Sequence, residues 1–223
     1  MKQRDLQITN DGSHTIMHHL LNQTYHSRHG AIKESMHVFI EAGLLPMMQQ
    51  KPSLKIFEFG FGTGLNAWLT SLQTFDKEYP VYYETIEAHP VEEAIWKLLN
   101  FGTFNQHKEA GKILFAMHEA PWEKACAIHE YFTLEKKETD FSVYQPSTTF
   151  DLVYFDAFSP TAQPELWTIN VFERMMEMMN TGGRLTTYCS KGDVRRNMMA
   201  AGLQVQKIAG PPGKREMVVA TKP

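Results

Sequence analysis

The sequence predicts an α/β fold, a mostly parallel sheet with a reversed C-terminal edge strand. Three observations predict it. Strand-like and helix-like segments alternate from residue 54 onward, the order that builds a parallel sheet with helices as crossovers. Residues 150–156 are a continuous run of bulky side chains closed by an acid, Asp156, as expected of a strand buried on both faces. The last two strand-like segments, 203–208 and 217–221, are joined only by Gly210-Pro211-Pro212-Gly213. Turn residues with no helix between strands make an antiparallel pair.

Taken in order, the chain is polar at first and turns amphipathic over 32–45. Ile32, Met36, Phe39 and Ile40 recur there at helical spacing, and Gly43 marks the exit. Residues 54–59 form a short strand that runs into Gly60-Phe61-Gly62-Thr63-Gly64, and 65–75 read as a helix. A second strand (81–87) and helix (91–100) follow, then a third strand at 112–117, a helix at 123–136 and a polar loop to 149. Residues 171–179 place Val171, Phe172, Met175, Met176 and Met179 at helical spacing, where methionines serve as core packing. Gly182-Gly183 turns the chain into a strand at 184–188, and a short helix at 193–201 closes at Gly202. The organisation expected is an N-terminal extension, 1–52, packed on a domain formed by 53–223 as one structural unit.

With 223 residues, 43% hydrophobic and 21% charged, the composition excludes a disordered or fibrous chain. No run approaches the roughly 18 apolar residues of a membrane span, and Met1-Lys2-Gln3-Arg4-Asp5 does not open a signal peptide. A soluble, cytoplasmic protein without a membrane partner is expected. Cys126 and Cys189 lack CxxC spacing, which speaks against a disulfide framework or a zinc-thiolate site. The six histidines of the first 40 residues are not spaced as HExxH, so no metal is expected. Net charge is −3, but residues 184–223 carry +6 and the preceding residues −9. Local basic surface of that kind, more than overall charge, is what meets a polyanion.

A strand, a glycine turn and a helix make a site for a nucleotide-like ligand, because glycines admit close backbone approach and the helix N-terminus is partly positive. Gly62-Thr63-Gly64-Leu65-Asn66-Ala67 satisfies the dinucleotide pattern GxGxxA. Glu58, two residues before Gly60, would face a pyrophosphate badly and suits the amino and sulfonium end of S-adenosylmethionine. Glu87, 23 residues after Gly64, can accept both hydroxyls of a ribose, which serves either cofactor. The terminal antiparallel pair favours S-adenosylmethionine, because it resembles the class I methyltransferase sheet. No GK[ST] follows, which excludes a P-loop. Asp156 ends a strand, where open α/β sheets collect their chemistry. Its flanks, Ala157-Phe158-Ser159-Pro160, read as a floor beside a methyl donor. A carboxylate there would accept an amine N–H and orient the lone pair. Phe158 would stack on a planar ring or pack in the core.

Six ordered motifs carry a resemblance: Tyr25-His26-Ser27-Arg28-His29-Gly30, Gly60 to Asn66, Asp156 to Pro160, Pro164-Glu165-Leu166-Trp167, Lys191 to Arg196, and Gly213-Lys214-Arg215-Glu216-Met217. They are similar, over nearly the whole chain, to the methyltransferase domain of the MnmC family (tRNA 5-methylaminomethyl-2-thiouridine biosynthesis) and its stand-alone relatives. The resemblance implies a class I, Rossmann-like, S-adenosylmethionine-dependent methyltransferase of tRNA modification, its catalytic domain at 53–223. The acceptor would be the 5-aminomethyl group of a wobble (2-thio)uridine. By position, Glu58, Gly60, Gly62, Gly64 and Asn66 would hold the donor and Glu87 its ribose, with Asp156 and Phe158 at the amine. Tyr25, Arg28, Arg195, Arg196, Lys214 and Arg215 would lie toward the tRNA. Where the family often has Gly-Asp before the adenine, this chain reads Met117-His118-Glu119, so Glu119 is expected to substitute. Met36 stands where many relatives have Arg. Bifunctional members carry an FAD-dependent oxidase domain; the sequence given ends at Pro223, so a separate enzyme or a direct aminomethyl route is expected to supply the aminomethyl uridine. Alternative readings are a methyl- or aminopropyl-transferase acting on a small amine, and a non-catalytic RNA-binding protein on the same fold.

Overall fold

The computed structural model describes residues 4–223. Three short strands, β1 (Arg4–Ile8), β2 (His14–His18) and β3 (Gln23–Thr24), form a small antiparallel sheet of their own. A helical run follows without a break, as α-helix at Ala31–Ser35, π-helix at Met36–Leu44 and α-helix at Leu45–Met48. Its apolar side, Val38, Phe39, Ile40, Leu44 and Met47, is buried in one core with Ile56, Tyr83 and Tyr154 of the main sheet.

The main sheet has eight strands: β4 (Leu54–Phe59), β5 (Val81–Ile86), β6 (Cys126–His129), β7 (Phe132–Lys137), β8 (Phe150–Phe155), β9 (Met179–Thr187), β10 (Gln204–Ala209) and β11 (Glu216–Thr221). Their spatial order is β10-β11-β9-β8-β4-β5-β7-β6. From β7 through β5, β4 and β8 to β9 every pairing is parallel. The mostly parallel sheet with an antiparallel C-terminal strand is therefore present, but the reversed strand is not at the edge. β11 lies between β9 and β10, antiparallel to both. The side-chain patterns explain the choice. Met217 to Ala220 is a continuous apolar run, buried on both faces, whereas β10 is largely exposed and suits an edge.

Two expected elements are exchanged. Residues 112–117 lie in a helix, Ala110–Glu119, whose buried Ala110, Ile113, Leu114 and Met117 follow helical spacing. Residues 123–136, expected as a helix, hold β6 and most of β7. In β7 the side chains of Phe132, Leu134 and Lys136 are buried and those between are not, a period of two. The buried lysine hides that pattern from a hydrophobicity reading. Its ammonium sits 5.1 Å from the Phe61 ring and 4.7 Å from that of Trp122, and donates to the His118 carbonyl oxygen at 2.8 Å. The expected helix at 91–100 shrinks to Glu93–Trp96. The remaining helices fall close to expectation: Leu65–Asp76, Ile169–Met178 and Gly192–Ala200. Met175, Met178 and Met179 are buried in a second core with Phe57, Val153 and Phe155 of the main sheet, while Met176 is only partly covered.

Because five strands run parallel, their carboxyl ends share one rim of the sheet. The turn after β4 is tight. Gly64 caps the helix Leu65–Asp76 in the left-handed region, at φ 71°. A Cβ added there would lie 2.9 Å from Cζ of Phe61. Gly64→Ala is expected to cost about 1–3 kcal/mol through the left-handed penalty and that clash. Chemical denaturation would read this as a lower midpoint with an unchanged slope.

Candidate active site

A cavity of about 650 Å³ opens on this rim. One wall is the glycine turn. Gly60 and Phe61 donate from their backbone to the Ile86 carbonyl oxygen, both at 3.1 Å, which holds the turn against the end of β5. Gly62, at φ 50°, presents bare backbone there, and a Cβ on it would meet the Tyr25 ring at 3.1 Å. Thr63 is held from two sides. His26 Nε2 lies 2.6 Å from its hydroxyl, and His118 Nε2 donates to its carbonyl oxygen at 3.0 Å. Burial lowers the pKa of both imidazoles to about 4, and the nearby Lys136 ammonium adds to the effect at His118.

Glu87, just past β5, is half-buried in the cavity wall. It accepts the Gly62 N–H at 3.0 Å and the His89 N–H at 2.9 Å. Asp156 follows β8. Its Oδ2 accepts from Asn66 Nδ2 at 2.9 Å, and the same nitrogen donates to Glu58 Oε1 at 3.0 Å. Burial raises the Asp156 pKa to about 7, against the Asn66 hydrogen bond, which lowers it. The next two residues are pinned: Tyr188 donates its hydroxyl to the Ala157 carbonyl oxygen at 2.9 Å, and Trp167 its indole N–H to that of Phe158 at 2.8 Å. The Phe158 ring meets Tyr25 edge-on, with centroids 5.1 Å apart, and His18 at 5.8 Å.

Of the residues singled out from sequence, Tyr25, Gly60, Gly62, Asn66, Glu87, Asp156, Phe158 and Lys214 meet in this one cavity. Glu58 lies behind Asn66 with 1% exposure and is not in the wall. Gly64 shapes the turn from below. The structure does not bring Glu119 to the cavity, because the strand expected before it is a helix. Two acids follow the true strand, β7, Glu138 and Asp140, and Asp140 does line the cavity. The alternation over 132–137 was the signal that would have found it. Arg4, Glu34 and Arg174 also line the wall unforeseen.

The basic C-terminal region is more self-contained than its charge implies. Arg184 donates to the Ala42 carbonyl oxygen and Lys222 to that of Met179. Arg196 pairs with Asp193, Lys207 with Glu216 at 2.8 Å, and Lys214 with Glu34 at 2.6 Å. Lys214 also sits 3.9 Å over the Tyr188 ring, inside the cavity. Arg28, Arg196 and Arg215 are exposed outside the wall, and Arg195 is half-buried. Among the described residues, no group of three or more His, Cys, Asp or Glu could hold a metal, and no helix is long and apolar enough to cross a membrane. Both cysteines are free.

Residues 125–223 match a family described as S-adenosyl-L-methionine-dependent methyltransferase. The chain is 30% identical over 217 residues to the tRNA 5-methylaminomethyl-2-thiouridine biosynthesis bifunctional protein MnmC of Ralstonia nicotianae, covering 91% of this chain and 32% of that protein. Against the protein of the same name from Magnetococcus marinus the identity is 31% over 207 residues, covering 86% and 30%. Over its C-terminal half the chain is thus similar to the S-adenosyl-L-methionine-dependent methyltransferases. It spans about a third of the length of these curated relatives. The crystal structure of MnmC2 from Aquifex aeolicus has the same fold, with a TM-score of 0.83 at 24% identity, covering all of this chain and 72% of the other. The whole of this chain, from its small N-terminal sheet to β11, thus shares the fold of that structure.

The residues of the cavity fit a methyl donor, S-adenosylmethionine. Gly60 and Gly62 form a cradle that side chains would fill. Two carboxylates, Glu87 and Asp140, stand in the same wall beyond β5 and β7, where the hydroxyls of a ribose and the amine of a base find acceptors.

Proposed function

We propose that this methyltransferase methylates the 5-aminomethyl group of a wobble uridine, with or without 2-thiolation, in tRNA, and that it works in the cytoplasm. One observation carries the acceptor chemistry: Asp156 borders the cavity beside the glycine cradle, held through one oxygen only, so that Oδ1 is left for an amine. The likeness to the MnmC proteins supports tRNA as the carrier of that amine. Residues 1–52 are an extension to the domain 53–223 that supplies Tyr25 and Glu34 to the site. A separate enzyme or a direct aminomethyl route furnishes the acceptor.

In this reading Gly60, Gly62 and Asn66 hold the donor, Glu87 binds its ribose and Asp140 takes the adenine contact first expected of Glu119. S-adenosylmethionine supplies a methyl group activated on a sulfonium. The chain's own work concerns the acceptor. An aliphatic amine arrives protonated, and only its neutral form has a lone pair. Asp156 Oδ1 accepts a proton or N–H from the amine and aligns the lone pair with the cradle. The pinned Ala157–Phe158 backbone keeps that oxygen in place, and the Phe158 ring offers a face to the uridine. Lys214, paired with Glu34, tunes the field at Asp156 more than it reaches a phosphate. Tyr25 borders the acceptor, and Arg28, Arg195, Arg196 and Arg215 contact the tRNA backbone.

The internal pairing of so many C-terminal cations favours a second reading, in which the acceptor is a small amine. The deciding experiment incubates the protein with labelled S-adenosylmethionine and tRNA lacking this methyl group, then digests the tRNA for mass spectrometry. The expected product is 5-methylaminomethyl uridine. Arg195→Ala with Arg215→Ala should weaken tRNA binding at every sequence and flatten the slope of log affinity against log salt by about 1–2. An unchanged slope together with unchanged transfer would sink the tRNA reading. Donor binding without transfer would point to small amines.

A further inference from the structure

We propose that Glu58 is a positioning residue, which fixes the Asn66 amide so that Asn66 in turn holds Asp156 at the cavity wall, in place of the donor contact that its position in the glycine motif implies. The inference rests on the amine-methylation reading for its kinetic consequence only. Its basis is geometric. Glu58 is 1% exposed and absent from the cavity wall, whereas Asn66 and Asp156 are both in it. Asn66 Nδ2 has two hydrogens, and the two carboxylates take one each, at 3.0 and 2.9 Å. With its donor capacity spent in two fixed directions, the amide cannot flip or turn without abandoning an acceptor. A single nitrogen therefore couples the buried acid to the reacting one.

The surroundings of Glu58 also say in what form it does this. Asn66 faces it from the helix, Tyr83 and Thr85 from β5, where Thr85 is its register partner, and Tyr154 and Asp156 from β8 and its end. These are hydroxyls, an amide and a second carboxylate. Among the described residues no Lys, Arg or His nitrogen lies within 4 Å of it. A carboxylate so buried and so poorly compensated keeps its proton, and burial pushes its pKa well above the ordinary range. A neutral carboxyl can still accept from Asn66, but it offers nothing to the ammonium of a donor. Of the two acids on this amide, only Asp156 is left to ionise near neutral pH.

Glu58→Gln and Glu58→Leu separate the possibilities. Calorimetry with S-adenosylmethionine, infrared difference spectra in the carboxylic-acid region at pH 7, and single-turnover methyl transfer to aminomethyl-uridine tRNA against pH are the readouts. Glu58→Gln, the isostere of the neutral acid, is expected to keep donor affinity and rate within about fivefold and to remove one protonated-carboxyl band. Glu58→Leu is expected to keep donor affinity but lose about tenfold or more in rate. Its pH midpoint should move alkaline, because Asp156 loses a fixed donor. Loss of tenfold or more in donor affinity in Glu58→Gln, no band to lose, or a Glu58→Leu enzyme equal to wild type would each overturn the proposal. If the wild type methylates no tRNA, the acceptor assignment fails, while the band and the donor affinity still decide the case of Glu58.

Discussion

Asp156→Asn should lower the rate of methyl transfer at pH 8 by roughly 10²–10³-fold, the usual worth of a positioned proton acceptor, and should make the protein more stable at the same pH. The two effects have one cause. Burial raises the Asp156 carboxyl to about 7, while in the unfolded chain it titrates near 3.9. Between those values the folded state holds a proton that the unfolded state has released, so stability falls as pH rises through the window. Above pH 7 the full cost is present, of order 2–4 kcal/mol. Asparagine keeps an acceptor for Asn66 Nδ2 and carries no charge to desolvate. Thermal melts of the two proteins at pH 8 and pH 5 check this: the variant should melt higher at pH 8, and the difference should shrink toward pH 5. The wild-type rate should rise with a midpoint near pH 7, and the variant should lack that limb. A variant that melts lower than wild type at every pH would show that Asp156 is not held at a cost.

How the sheet was legible, and where it was not, follows from particular residues. β4, β5 and β8 announce themselves because each is a compact, largely apolar run ending at a turn, and the glycine turn because three glycines follow β4 at alternate positions. β7 does not, because one of its three core-facing positions is Lys136, buried by a carbonyl and two aromatic rings instead of by apolarity. A hydrophobicity pattern therefore puts helix over β7 and a strand over 112–117, inside the helix Ala110–Glu119, and points to Glu119 instead of Asp140 as the acid beyond the strand. The position of β11 was open to the same reading that placed it: a four-residue apolar run belongs inside a sheet. Glu58 and Asn66 were visible as motif residues, but a motif does not say which side chain reaches the cavity and which stands behind. The partners of Lys214, Lys207 and Arg196 were likewise out of reach, since charge counting cannot see that a lysine has an acid 180 positions earlier.

The segment before β4 supports the glycine turn directly, and removing that support should be visible in both binding and acid stability. The His26 imidazole is buried against the Thr63 hydroxyl, and its backbone N–H donates to the Thr15 hydroxyl, so one residue ties a small β-sheet to the glycine turn. His26→Ala would leave the Thr63 hydroxyl buried without its partner and open a gap beside Phe101, whose ring lies 6.2 Å from the imidazole. A loss of about 2–4 kcal/mol is expected, with donor affinity weakened roughly tenfold as Thr63 loosens. The pH dependence has a definite sign. With folded pKa values of about 4 at His26 and His118 and about 6.5 when unfolded, the unfolded chain binds the extra protons. Stability is then lost as pH falls from 6.5 to 4, by about 3 kcal/mol for each histidine at the lower end. In the wild type the relief of Asp156 over much of the same range opposes this loss, so the observed slope is shallow. Asp156→Asn removes the opposition, and its stability should fall steeply below pH 6.5. His26→Gln keeps a neutral partner for Thr63 that cannot take a proton, and in the Asp156→Asn background it should recover about half of that fall. Melting temperatures of the four proteins from pH 4 to 8 make the comparison, and equal acid slopes with and without His26 would show that its imidazole is not held neutral by the fold.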